Sequence, residues 1–153
     1  MTQSTVAHDT FVIERSYDVP VAQVFRAWAE PPLKARWFTG TADSLGDTYE
    51  LEFRVGGREA FRAGPPDGPV YTYESVFRDI VPDQRIVYTY EMHADADRIS
   101  VSVATVEFLS DGATTQLRLT EQGVFLDDHD NPAQRVEGTR SLLDSLGASL
   151  QGT

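Results

Sequence analysis

The residues best equipped for chemistry in this chain are three histidines, a few carboxylates and an unusual set of tyrosines. His129 stands in "DDHDN", residues 127–131, with Asp127, Asp128 and Asp130 around one imidazole. Imidazole and carboxylate together suit a divalent cation. Ligands adjacent in sequence converge only in a defined loop, however, and no further partner stands at a fixed spacing. The stretch therefore reads as a solvated acidic loop, as does "HADAD" after His93, while His8 falls in a polar lead. No metal or other cofactor is expected. For acid–base work the candidates are Glu121, Glu74, Asp79, Arg118 and the tyrosines. Such work needs a titratable group inside a pocket with a displaced pKa, and strand alternation sends many of these side chains to solvent. No nucleophile–base–carboxylate set can be assembled from the serine-rich C-terminal segment. The absence of cysteine excludes disulfides, thiolate catalysis and sulfur-ligated zinc. Gly56-Gly57 is read as a hairpin turn, because no phosphate-loop lysine or helix follows it. No catalytic residue is assigned.

The tyrosines are more informative. One face of the run from Arg85 to Met92 carries Ile86, Tyr88, Tyr90 and Met92, and the preceding run supplies Tyr71, Tyr73, Ser75 and Phe77. Each buried hydroxyl wants a partner, so this composition is unusual for plain core.

Those runs belong to a regular succession of elements. "TFVIERSY" predicts a strand over residues 10–17. Pro20 then opens a helix, since its fixed φ suits a first turn, and Val21, Val24, Phe25 and Trp28 mark one helical face. Pro31-Pro32 ends it, and a short second helix through Leu33 and Trp37 fits before Gly40. From Thr48 the period becomes two. Three strand pairs follow, turning at Gly56-Gly57, at Pro82-Asp83 and at Asp111-Gly112. Asn131-Pro132 resembles a capped helix start, and Val136, Leu142, Leu143, Leu146 and Leu150 form an apolar stripe after it. Gly138 and Gly147 interrupt that helix, at a cost of up to ~1 kcal/mol each relative to alanine, which points to close packing. The order is strand, two helices, six antiparallel strands and one long helix, an α+β arrangement in one domain.

The totals agree with a globular protein. The 153 residues carry 41% hydrophobic side chains, enough for one core. The net charge of −11, with only 13 basic residues along the chain, disfavours nucleic acid and anionic membrane as partners. The N-terminus does not read as a signal peptide, and no apolar run approaches the ~20 residues of a membrane span. A soluble, cytoplasmic protein is expected, monomeric or paired as a homodimer through exposed sheet edges.

"FVIERSYDVPVAQVFRAWAEPPLKARWF" resembles the opening of the activator of heat-shock-protein-90 ATPase homologue-like family. "YESVFRDIVPDQRIVYTYEM", "VEFLSDGATTQLRLTEQGVF" and "EGTRSLLDSLGASL" are similar to its later blocks, in order, so that the resemblance covers residues 10–150. It places the chain in the START-like (SRPBCC) superfamily and implies a helix-grip fold with a cavity between curved sheet and C-terminal helix. The superfamily includes lipid carriers, hormone receptors, cyclases and co-chaperones, so fold alone names no activity.

If the helix grips the sheet, the cavity is expected to be lined by Phe53, Phe61, Tyr73, Phe77, Tyr88, Tyr90 and Met92 from the strands and by Thr139 and Leu143 from the helix. Trp37 and Phe38 either close its mouth or anchor the short helix in the core. The ligand implied is a small apolar or aromatic molecule, oriented by tyrosine hydroxyls. A co-chaperone-like role with a chaperone or other protein partner is the alternative, although the chain does not show the additional N-terminal domain of eukaryotic activators. A cyclase- or hydrolase-like enzyme using the same cavity is the third reading.

Overall fold

The computed structural model describes residues 3–151. Its first strand, β1 (Val6–Tyr17), is longer than the sequence pattern predicts. His8 is therefore not in a loose lead but in the ladder, opposite Val124. The physical reason is pairing: the hydrogen bonds offered by a strand more than a hundred residues away carry the polar segment into the sheet, and local alternation cannot register that partner.

Pro20 precedes α1 (Val21–Ala29) in an extended conformation, and Val24, Phe25, Ala27 and Trp28 are buried. Helix α2 (Pro31–Phe38) follows at once, with Glu30 shared between the two ends. Pro31 and Pro32 stop α1 yet suit a first turn, where no N–H is needed.

Six strands then run antiparallel: β2 (Tyr49–Leu51), β3 (Arg58–Ala63), β4 (Tyr71–Val81), β5 (Arg85–Ala94), β6 (Asp97–Asp111) and β7 (Thr114–Leu126). The sheet order is β1-β7-β6-β5-β4-β3-β2, so β1 closes onto the last strand. The turns at Pro82-Asp83 and Asp111-Gly112 lie where expected, with Asp83 and Gly112 at positive φ. His93 belongs to β5, not to a loop, because the turn that ends the strand is made at Asp95. The first hairpin also differs from expectation. β2 pairs through only three residues, Tyr49 to Leu51 against Phe61 to Glu59, and residues 52–57 form a longer connection instead of a two-residue turn. This segment crowds against β4: the Gly56 N–H donates to the Phe77 carbonyl, and the Phe77 N–H to that of Gly57. A Cβ on Gly57 would sit 2.1 Å from the Glu52 carbonyl oxygen, so only glycine fits.

Helix α3 (Pro132–Gln151) lies across the concave face. Its start is capped as predicted, the Asn131 Oδ1 accepting from the Ala133 N–H at 2.8 Å. Thr139, Leu143, Leu146 and Leu150 are its buried positions. The Tyr17 hydroxyl donates to the Leu143 carbonyl at 2.8 Å and pins the helix to β1. One of the two helical glycines is a packing choice: a Cβ on Gly147 would meet the Tyr17 ring at 3.1 Å, whereas nothing approaches one on Gly138 within 4 Å.

Between these layers lies one core. Ile13, Ile86, Val106, Phe108, Leu117 and Leu119 from the sheet meet Phe25 and Trp28 of α1 and Leu143 and Leu146 of α3. Among the described residues no helix is long and apolar enough to cross a membrane.

Candidate ligand cavity

The inner face of the sheet alternates large and small residues in a way that leaves room. Ser75 stands opposite Tyr90 and Tyr90 opposite Ser102, while Met92 faces Ser100. Ser102 pairs in turn with Gly123. A Cβ on Gly123 would crowd the Ser102 Oγ at 3.0 Å and the Phe125 ring at 3.2 Å. Between this inner face and α3 lies an open cavity of about 350 Å³. Phe38, Phe61, Tyr73, Tyr90, Met92 and Thr139 line it, together with Asp130, Gln134, Arg135, Gly138 and Leu142. A smaller pocket of about 50 Å³ continues inward, sharing Phe38, Tyr73, Tyr90, Thr139 and Leu142 as walls. Trp28, Trp37, Tyr88, Leu119, Glu121 and Leu143 complete its lining.

The structure thus divides the expected lining residues. Phe38, Phe61, Tyr73, Tyr90, Met92 and Thr139 surround the main space, and Trp37, Tyr88 and Leu143 the deep end. Phe53 and Phe77 line neither: they pack on each other at 5.1 Å between ring centroids, with Phe53 also against Phe25 at 5.7 Å. Their place near the crowded 52–57 connection puts them beyond the space under α3. Tyr71, on the same strand face as Tyr73, is 43% exposed and also lies outside, because the sheet outlasts the helix above it at that edge.

Trp37 is core. It is 3% exposed, its Nε1–H donates to the Ala27 carbonyl at 2.9 Å, and it stacks edge-on with Trp28 at 4.8 Å. Phe38, next in sequence, packs edge-on against the Trp37 ring at 5.9 Å and reaches Tyr73 at 5.1 Å, walling both the main space and the deep end. Beneath them is a buried ion pair. The Lys34 Nζ donates to the Glu59 Oε2 at 2.8 Å and lies 5.0, 5.3 and 4.6 Å from the rings of Trp28, Trp37 and Phe38. The Tyr49 hydroxyl donates to the same carboxylate oxygen. Burial lowers the Lys34 pKa against the opposing pull of Glu59.

A second polar group sits where α3 meets the cavity. The Arg135 Nη1 donates to the Tyr90 hydroxyl at 2.9 Å, and the Tyr90 hydroxyl donates to the Glu121 Oε2 at 2.7 Å. The Arg135 Nη2 donates to the Ser100 Oγ at 2.8 Å and pairs with Asp130. Burial alone would lower the Arg135 pKa, but Tyr90, Asp130 and Glu121 together raise it. Glu121 is 2% exposed, and burial raises its pKa while the Tyr90 hydrogen bond and Arg135 oppose the rise. Burial likewise lifts the tyrosines: Tyr88 with help from Glu121, Tyr90 and Glu59, and Tyr73 with help from Glu59 and Tyr88. They are neutral donors at physiological pH.

Of the acid–base candidates read from the sequence, Glu121 faces the cavity with Tyr73, Tyr88 and Tyr90; Glu74, Asp79 and Arg118 form pairs with Arg58, Arg85 and Glu107. In the "DDHDN" loop, Asp127 accepts from the Thr5 N–H and Asp130 turns to Arg135, so the carboxylates diverge. Sequence reasoning missed Arg135 and Asp130. The signal was present: Arg135, Thr139, Leu142 and Leu146 recur at helical spacing, so the cavity side of α3 begins with a charge.

A curved antiparallel sheet holding a long C-terminal helix, with a cavity between them, is consistent with the helix-grip arrangement of START-like proteins. The family described as "Activator of Hsp90 ATPase homolog 1-like protein" matches residues 18–151, and the chain belongs to it. Among solved structures, an uncharacterised protein of Rhizobium leguminosarum is similar at 39% identity, covering 99% of this chain and 100% of its own, with a TM-score of 0.93. The Mll3558 protein of Rhizobium loti is 42% identical over 95% of this chain and 99% of its own, with a TM-score of 0.87. CV1439 of Chromobacterium violaceum, 21% identical over 94% and 98% of the two chains at a TM-score of 0.74, shares the fold. No curated protein matches.

Proposed function

We propose that the protein binds a small apolar or aromatic molecule in the cavity between α3 and the sheet. The observation that carries this reading is the cavity itself: about 350 Å³ walled by Phe38, Phe61, Tyr73, Met92 and Leu142, with Arg135 and Tyr90 at one side. Its volume lies in the range of small-molecule sites, and apolar walls with a few convergent polar groups are what such sites share. Native mass spectrometry of the purified protein, gentle and then denaturing, tests it. A reproducible extra mass lost on denaturation supports the reading. Its absence, with no rise in Tm across a panel of lipids and aromatic metabolites, would overturn it.

The family's description favours a second reading, a co-chaperone-like module that contacts a chaperone. A purified chaperone of that class, titrated with this protein at low and moderate salt, should then show binding and faster ATP hydrolysis. Glu121, a buried carboxyl at the deep end, is the group on which an enzyme of cyclase or hydrolase type would depend.

A further inference from the structure

The polar groups around the cavity are not equally free, and their differences select a ligand class. This step rests on the ligand-binding reading and deepens it. The Tyr90 hydroxyl is used twice, donating to Glu121 and accepting from Arg135. The Thr139 hydroxyl donates to the Arg135 carbonyl. The Arg135 guanidinium is spent on Tyr90, Ser100 and Asp130, with Glu121 3.9 Å from its Nη1. The Tyr88 hydroxyl, by contrast, has no hydrogen-bond partner among the described residues, although Tyr88 is only 8% exposed. Its ring walls the 50 Å³ deep end, a space near the share of one or two waters and so the size of a single functional group. The Tyr73 hydroxyl, on the wall of both spaces, likewise makes no hydrogen bond among the described residues, and the Trp28 Nε1–H beside Tyr88 is buried without an acceptor, a rare and costly condition in folded proteins.

Charge decides what that group can be. The ionisable groups lining the two connected spaces, apart from the neutral tyrosines, are Arg135, Asp130 and Glu121. One cation faces two carboxyls and is already paired, and the nearby Lys34 is matched by Glu59. An anionic ligand would leave water to meet no unspent positive charge.

We propose that the cavity selects an uncharged apolar ligand bearing one hydrogen-bond acceptor of the ketone or ester kind, seated with that acceptor at the deep end against the Tyr88 hydroxyl. Carboxylates are rejected, despite the arginine on the wall. The main space of about 350 Å³ is a little over twice the ~150 Å³ of a cavity that holds benzene, so the apolar part is about two rings in size.

Three naphthalenes of closely matched shape test this: methyl naphthyl ketone, isopropylnaphthalene and naphthoate at neutral pH. Trp28 and Trp37 both line the deep end, so tryptophan fluorescence of the full chain reports binding. The ketone should bind about five- to tenfold more tightly than the hydrocarbon, the worth of one net hydrogen bond, and naphthoate more weakly than either. Tyr88→Phe should bring the ketone down to the hydrocarbon's affinity and leave the hydrocarbon unchanged. Equal binding of ketone and hydrocarbon, tightest binding of naphthoate, or a ketone preference that survives in Tyr88→Phe would each overturn the proposal. The wild-type series decides alone if the variant does not fold. Binding of the hydrocarbon without ketone preference sinks this inference only; binding of none of the three sinks the cavity reading with it.

Discussion

Trp37 and Phe38 are neighbours with different duties, for both wall the deep end but only Phe38 reaches the main space, and the difference is one of angle. Successive residues on a helix project about 100° apart, so an eight-residue helix that buries one ring in the core turns the next toward the cavity. The sequence supplies the pair and the helix but not the angle at which the helix rests, which is why both roles stayed open. Trp37→Ala should cost about 3–5 kcal/mol, as large aromatic truncations in cores do, and it also orphans the Ala27 carbonyl. Phe38→Ala should cost less and enlarge the cavity. Urea unfolding of both variants checks the order. Glu121 carries a second residue-scale expectation, with its sign fixed by burial. Its folded pKa is raised above the ordinary value of 4.5, so across the window above that value the folded state holds more protons than the unfolded. Stability contributed by this group therefore falls as pH rises through the window and levels off above the folded pKa. In Glu121→Gln that segment of the stability–pH curve should flatten relative to wild type; two parallel curves would show that Glu121 does not titrate in this way.

At the scale of elements, α2 is held to the sheet by a charge that its sequence does not advertise. Lys34, between Leu33 and Ala35, reads as a solvated helix position, yet it is 2% exposed and paired with Glu59 across 25 residues. Only the packing of α2 against β3 creates the pair, so no local pattern reveals it. Removing one partner of a buried pair strands the other. Lys34→Met should thus destabilise by about 3–5 kcal/mol, whereas the double variant Lys34→Met with Glu59→Leu should recover much of that loss. Chemical denaturation of the three proteins checks it, and a double variant no better than the single would refute the latch. Helix α3 offers a matched contrast in glycine. Gly138 has open space around an added Cβ, so Gly138→Ala should stabilise by about 0.4–1 kcal/mol. At Gly147 the same change meets the Tyr17 ring at 3.1 Å and should yield less or reverse sign. The sequence reading gave both glycines one meaning; the distance to Tyr17 separates them.

For the whole molecule, the decisive contact is the most distant in sequence. β1 pairs with β7 from Val6–Leu126 to Tyr17–Thr115, and this places Tyr17 under α3 and fixes the helix across the concave face. Alternation and turns made the six consecutive strands legible, since each hairpin is local. The closing pair and the long first strand were not, since their register depends on residues over a hundred positions apart. Family resemblance supplied the overall arrangement, but not which aromatics fill space and which leave it. That depends on how far α3 and α2 reach over the inner face, which brings Phe38, Tyr73 and Tyr90 to the cavity and leaves Phe53 and Phe77 outside it. This architecture predicts where a ligand would be felt. A ligand at about a hundred times its Kd should add about 2.7 kcal/mol to the stability of the folded chain. Its local effect should be uneven, because the cavity touches α2 through Phe38 and the first half of α3 through Arg135, Gly138, Thr139 and Leu142, and meets the β1–β7 seam only through Leu119 and Glu121 at its deep end. Hydrogen exchange of the ligand-saturated protein should therefore slow most in α2 and in residues 134–143. A partner protein gripping the outer sheet would instead protect β5, β6 and β7 first, and that pattern would transfer the functional assignment from the cavity to the convex face.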